Sequence, residues 1–157
     1  MTTMNNSDRV ERIAELAAKR EIRVVTAESL TSGRVATYLG AGPSAADWFG
    51  GGVVAYHERV KFDVLGVEEG PVVTPKCAQQ MATGARRLLL SDLAVSCTGV
   101  GGPEPSEGRP PGTVFIAVAT DGDVIVRELS LSGSPEEVVE QTASHCVALV
   151  EEVLADG

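Results

Sequence analysis

Short apolar, β-branched runs alternate along this chain with segments of helical periodicity, and that alternation limits the fold more than any other feature. Residues 23–26, 52–56, 94–98, 112–120 and 124–131 read as strands. Helical spacing marks 8–20, 29–40, 60–65, 76–90 and 135–154. In the first of these, Val10, Ile13, Leu16 and Ala17 share one face behind a cap at Ser7 or Asp8. Thr74-Pro75 is a helix start, Asp121-Gly122 a tight hairpin turn, and Ser134 with Glu136 and Glu137 a capped, acidic first turn. The segment 40–47, rich in Gly, Pro, Ala and Ser, reads as a loop or a broken helix. Elements in this order bury a sheet beneath helices, so the expected class is α/β: a three-layer α/β/α domain. Its mixed sheet is expected to be parallel at the centre and to carry an antiparallel hairpin. At 157 residues one core is the default, so residues 1–157 are expected to form a single domain, with 1–7 as a flexible lead. No internal repeat or low-complexity stretch argues otherwise.

Charge narrows the choice of partner. A formal net charge of -9 opposes binding to a phosphate backbone, which needs clustered Lys and Arg to displace counterions. Nucleic acid is therefore not expected as a partner, although one locally positive pocket remains compatible with an acidic surface. The start of the chain has no apolar run behind basic residues, and nowhere does an apolar stretch approach the ~20 residues of a membrane span. A soluble, cytoplasmic protein with no membrane partner is the expectation. Cys77, Cys97 and Cys146 are widely spaced, with no CxxC pair, and read as buried structural thiols. His57 and His145 lie outside the usual zinc spacings, so neither metal nor cofactor is expected.

Three segments carry residues suited to chemistry. In 26–33, a strand ends in Glu28 and the hydroxyls of Ser29 and Thr31 just as a helix begins. Open α/β sheets place ligands at the carboxyl ends of their strands, so a site is expected here; plain helix capping by Ser29 or Thr31 is the simpler alternative. In 98–103, Thr98, Gly99, Gly101 and Gly102 follow another strand, where glycines let a substrate approach backbone N–H groups. This loop matches neither a Walker A motif nor GxGxxG, and a plain turn is equally compatible. In 56–61, Tyr56 lies five residues before Lys61. A lysine serves as a general base when burial lowers its pKa; otherwise it is an ordinary surface lysine.

Taken together, TAESLTSG (26–33), GGVVAYHERVKFDVLGV (51–67) and CTGVGGP followed by PPGTVFIAVA (97–119) resemble the CinA C-terminal family in order and spacing over nearly the whole chain. The resemblance implies hydrolysis of the carboxamide of nicotinamide mononucleotide to nicotinate mononucleotide and ammonia, as in pyridine nucleotide salvage, without metal or organic cofactor. It implies a small-molecule substrate, a pyridine mononucleotide, and makes a homodimer plausible. Larger relatives place this domain behind a molybdopterin-binding-like domain; the chain resembles the standalone form. Carried over by position, Tyr56 and Lys61 match the family's catalytic pair, Ser29 and Thr31 its first-motif hydroxyls, and Thr98 with its glycines the substrate-facing loop. A hydroxyl activated by Lys61 then attacks the amide carbon, Tyr56 relays or orients the proton, and loop N–H groups hold the oxyanion.

The chain departs from the family pattern at several positions. Ala46 stands where the resemblance implies a serine nucleophile, and Ser44, two residues earlier, is the candidate to replace it. Leu30 stands for Cys, Ser32 for Gly, Gly101 for Ala, and Glu140 for an Arg that would meet a substrate phosphate. The expected catalytic residues are thus Lys61, Tyr56, Ser29 and Ser44. The expected substrate-binding residues are Glu28, Thr31, Thr98, Gly99, Gly101 and Gly102. Three readings follow: a nicotinamide mononucleotide amidohydrolase, a catalytically silent nucleotide- or ligand-binding protein, and an amidase for another small amide.

Overall fold

The computed structural model describes residues 4–157. Its elements are α1 (Asn6–Arg20), β1 (Val24–Glu28), α2 (Arg34–Gly40), α3 (Ala45–Trp48), β2 (Phe49–Val54), α4 (Glu58–Asp63), α5 (Pro75–Leu88), β3 (Leu93–Gly99), β4 (Thr113–Thr120), β5 (Asp123–Ser130) and α6 (Pro135–Asp156). They build one five-stranded sheet in the order β2-β1-β3-β4-β5.

Every residue of β1 is buried, because the strand is covered on both faces. Its side chains alternate accordingly: Val24 packs with Val10, Leu39 and Val147 from α1, α2 and α6, while Val25 and Ala27 pack with Leu65, Cys77 and Met81 on the other face. The result is the α/β/α layering read from the sequence. One detail differs. β1 pairs in parallel with β2 and β3, whereas β3 with β4, and β4 with β5, are antiparallel. Parallel pairing therefore fills one half of the sheet rather than its centre. The connection over 100–112 contains no crossover helix, and without one the chain returns antiparallel.

Helix α1 begins earlier than its sequence pattern indicates, because Asn5 is the cap, its side chain accepting from the Asp8 N–H. Of the expected flexible lead, residues 6 and 7 are helical and 1–3 lie outside the described residues. β2 likewise starts at Phe49, three residues before the predicted run, and Gly50–Gly52 belong to the edge strand. Gly52 is tied to its place by packing: a Cβ there would overlap Thr26 Oγ1 on β1. Helix α6 begins as predicted, Ser134 and Glu137 forming a reciprocal capping box.

The mid-helix Gly84 of α5 makes the same point more sharply, since a Cβ would run into the backbone carbonyl of Leu65. Alanine favours an isolated helix by about 1 kcal/mol over glycine. Here overpacking against backbone dominates, and Gly84→Ala is expected to lower stability by about 1–3 kcal/mol. Thermal unfolding checks this; a melting temperature at or above that of the native chain would contradict the packing described.

Candidate active site

The parallel half of the sheet decides where the chemistry-bearing segments meet. In parallel strands the carboxyl ends share one edge, and Glu28 at the end of β1 is in register with Val54 of β2 and Cys97 of β3. Ser29, the turn 55–57 and the loop after Thr98 consequently leave the sheet side by side. Thus Ser29, Tyr56, Lys61, Thr98, Gly99, Gly101 and Gly102 all line one cavity of about 280 Å³.

Lys61 is the centre of the arrangement. The Ala55 N–H donates to the Glu28 carbonyl at 2.6 Å, which fixes the turn into α4. The helix then aims Lys61 back at that turn, and its side chain is only 2% exposed. Its Nζ donates to the Ala55 carbonyl at 2.7 Å, the Tyr56 carbonyl at 3.3 Å and Ser29 Oγ at 3.0 Å. Burial holds the ammonium below the usual lysine range, against the opposing pull of Cys77, Glu58, Cys97 and Glu107. Beside it, burial pushes the Cys77 thiol up to about 11. In the neutral amine, two N–H bonds suffice for the two carbonyls and the lone pair is left facing Ser29. The geometry is that of a hydroxyl next to a base.

Thr98 secures the opposite wall, its hydroxyl donating to the Val72 carbonyl at 2.8 Å. Glu107 braces the same wall by accepting from the N–H groups of Val72 and Val73 at 2.9 and 2.7 Å. Gly101 has open space where a Cβ would be, and among the described residues no acceptor meets the N–H of Gly101 or Gly102. Those N–H groups stand at the cavity's edge, where an oxyanion can use them.

Glu28 and Thr31, expected to bind substrate, do something else. Glu28 is 1% exposed. One oxygen accepts from the Thr31 hydroxyl at 2.6 Å, the Val35 N–H at 2.9 Å and the Gly33 N–H at 3.2 Å. The other accepts from the Ala36 N–H at 2.9 Å and the Thr26 hydroxyl at 3.3 Å. Thr31 also touches Cys97 Sγ at 3.1 Å. Both side chains are consumed in fastening β1 to α2, and neither lines the cavity. Capping by Ser29 or Thr31 does not occur either: the N-cap is Gly33, which makes no side-chain cap, and the carboxylate of the preceding strand takes over. Ser32, where the resemblance has glycine, adopts φ 50 in this turn, the left-handed region that glycine enters without strain.

Ser44 is not brought to Lys61. It precedes β2 as the exposed N-cap of α3, so it lies at the opposite end of the strand that leads to Tyr56. There it borders a separate hollow beside Glu11 and Trp48. Ala46 is exposed on the same short helix. Tyr56 turns its carbonyl rather than its hydroxyl to Lys61, and its side chain is 68% exposed at the cavity mouth. Glu140 ties α6 to α2, accepting from the Tyr38 hydroxyl and from Arg34 at 3.4 Å. Several lining residues escaped the sequence reading, among them Glu58, Val72, Val73, Ser106, Pro135 and Val139. Glu58 shares a helix face with Lys61 at i, i+3, a spacing that could have revealed it. Val72 and Val73 carry no local signal at all, because a distant loop positions them.

Comparison with known proteins now adds to the geometry. The CinA C-terminal domain model matches residues 6–154. The chain belongs to the CinA C-terminal domain family. It is 41% identical over 150 residues to a Geobacillus kaustophilus protein bearing the name competence-damage inducible protein, and 35% identical over 150 residues to one of the same name from Bacillus velezensis. These alignments cover 90% and 92% of the chain but 36% of each relative, so the chain spans about a third of their length. Among solved structures, a CinA superfamily protein from Klebsiella pneumoniae superposes with a TM-score of 0.92 at 32% identity, covering 98% of this chain and 100% of the other. A competence/damage inducible protein from Agrobacterium tumefaciens gives 0.90 at 27%, covering 99% of each. The family's fold is thus the fold described above. Among the described residues no helix of this CinA domain is long and apolar enough to cross a membrane, and no group of three or more His, Cys, Asp or Glu could hold a metal ion.

Proposed function

We propose that this CinA domain is an amidohydrolase of the Ser-Lys type that converts nicotinamide mononucleotide to nicotinate mononucleotide and ammonia. The observation that carries the reading is the contact of 3.0 Å between a buried Lys61 Nζ and Ser29 Oγ at a cavity wall. Neutral Lys61 takes the Ser29 proton as Oγ attacks the amide carbon. The carbonyl oxygen becomes an oxyanion met by the N–H groups of Gly101 and Gly102. The Lys61 ammonium then returns its proton to the departing nitrogen, which leaves as ammonia. Lys61, neutral again, deprotonates a water that opens the acyl-Ser29 ester and releases the acid. Tyr56 contributes its carbonyl to hold the amine, and Ala46 removes nothing from this pair.

The ligand in this proposal is a small carboxamide and the compartment the cytoplasm, where the three free cysteines stay reduced. A homodimer is part of the proposal and is read by sedimentation equilibrium. One observation favours a second reading, an amidase for a different small amide: among the described residues Lys61 is the only Lys or Arg lining the cavity, and its Nζ is held by three hydrogen bonds rather than offered to a phosphate. A catalytically silent binding protein is the third.

Ammonia release from nicotinamide mononucleotide is expected from the native chain and not from Ser29→Ala. Absence of release above the Ser29→Ala background, from folded protein, sinks the deamidase reading. Release from other amides alone selects the second reading, and binding without any release selects the third.

A further inference from the structure

The N–H groups of Gly101 and Gly102 belong to a loop, 100–112, whose ends are fixed by backbone bonds. The Val100 N–H donates to the Thr113 carbonyl at 2.8 Å, and the Gly112 N–H to the Val100 carbonyl at 2.7 Å. The outer part of the loop is a small hairpin. Ser106 and Arg109 exchange backbone bonds of 3.1 and 2.9 Å around a turn of Glu107 and Gly108, at φ 52 and φ 75. Positive φ at both central positions is the type I′ arrangement, in which Asn-Gly or Asp-Gly is the favoured pair. Glutamate is a strained choice there. Its carboxylate supplies the reason: it reaches across to accept from the N–H groups of Val72 at 2.9 Å and Val73 at 2.7 Å. Arg109 fastens the other side of the turn to β4, its guanidinium lying 5.0 Å from the centroid of the Phe115 ring. Val72 is itself held by Thr98, whose hydroxyl donates to its carbonyl. Val72, Val73, Gly101, Gly102 and Ser106 all line the cavity of Ser29 and Lys61.

Building on the proposed amidohydrolase reading, we infer that Glu107 is a positioning residue: a latch that ties the tip of the 100–112 loop to Val72 and Val73 and so holds the Gly101 and Gly102 N–H groups where the oxyanion forms. Backbone strain kept beside a cavity for the sake of one side-chain contact marks a functional constraint. A shift of about 1 Å in groups of this kind is enough to cost about 10²-fold in rate. Because the oxyanion develops only in the transition state, a released latch lowers kcat and leaves KM near its native value.

Two substitutions separate the latch from the fold. Glu107→Asn supplies a residue that the turn prefers but falls a methylene short of Val72 and Val73. Glu107→Gln keeps the reach, since its amide oxygen can accept from both N–H groups. Ammonia release from nicotinamide mononucleotide is compared on the plateau of the pH profile, where losing the Glu107 charge that faces Lys61 has no effect. Glu107→Asn is expected to lower kcat about ten- to hundredfold, with KM within about twofold of native. Its melting temperature should stay within about 3 °C of native, the relieved turn offsetting the lost bonds. Glu107→Gln is expected to recover most of the kcat. Native-like kcat in Glu107→Asn overturns the inference, as does a loss that Glu107→Gln fails to recover or one accompanied by a larger fall in melting temperature. If the native chain releases no ammonia, the amidohydrolase reading fails instead, and amide hydrogen exchange decides whether the latch holds. Faster exchange at Val72 and Val73 in Glu107→Asn but not in Glu107→Gln supports it, and native rates in both variants overturn it.

Discussion

Lys61→Met will abolish most amide hydrolysis, by about 10²–10⁴-fold in kcat/KM, and leave the fold about as stable as before. Methionine fills similar volume without a nitrogen, so Ser29 keeps its place and loses only its base. Two effects on stability oppose one another. The substitution forfeits three hydrogen bonds, to Ala55, Tyr56 and Ser29, but it also removes an amine held at 2% exposure, whose charged form burial disfavours. A group placed for chemistry at the expense of stability is common at active sites, and removing it seldom weakens the fold. Ammonia release and urea denaturation measured on the same preparation test both halves. Native-like turnover in Lys61→Met would remove Lys61 from the mechanism outright.

The pH profile follows from the same burial. Because the folded chain holds the Lys61 ammonium below its usual range, kcat/KM should rise with pH through that lowered value as the amine forms. The groups facing it, Cys77, Glu58, Cys97 and Glu107, each work in the opposite direction and limit the shift. Stability carries the matching sign. Between the lowered folded value and the ordinary lysine value the unfolded chain binds the extra proton, so stability also rises with pH across that window. Lys61→Met should flatten this part of the stability curve.

The sequence made the layers legible because periodicity reports burial, and burial of a sheet on both faces leaves mostly apolar runs such as 24–27 and 93–97. The convergence of 26–33, 56–61 and 98–102 was legible too, since strands followed by Gly and hydroxyl residues mark one edge of a parallel sheet. Contacts that depend on distance along the chain were not. Glu28 and Ser29 are neighbours in sequence, but one enters the core under α2 and the other opens onto the cavity; only the turn at Ser32 and Gly33 separates their roles. Ser44, two residues before position 46, is the sequence's candidate to replace a hydroxyl there. Strand β2 places both at the far end from Lys61, a separation that no spacing rule in the sequence encodes.

Glu28→Ala is expected to cost about 3–5 kcal/mol, a large part of the ~5–15 kcal/mol that holds a domain of this kind folded. The carboxylate accepts five hydrogen bonds, and three of the donors are backbone N–H groups at the start of α2. Truncation leaves those donors with no acceptor in a buried site, and an orphaned donor costs more than the bond itself was worth. At about 2–4 °C per kcal/mol for a chain of this size, the melting temperature should fall by about 6–20 °C. Glu28→Gln should be intermediate. Its oxygen serves one set of donors, but its NH₂ then faces the Ala36 N–H, which has no means of accepting. Thr31→Val removes the 2.6 Å bond and the contact with Cys97, and should cost about 1 kcal/mol. Combined with Glu28→Gln it should cost less than the sum, because the two side chains share one bond. A melting temperature for Glu28→Ala within 2 °C of the native value, roughly 1 kcal/mol at most, would mean that α2 holds its start without the carboxylate. The turn that carries Ser29 would then owe its shape to Cys97 and the sheet register instead.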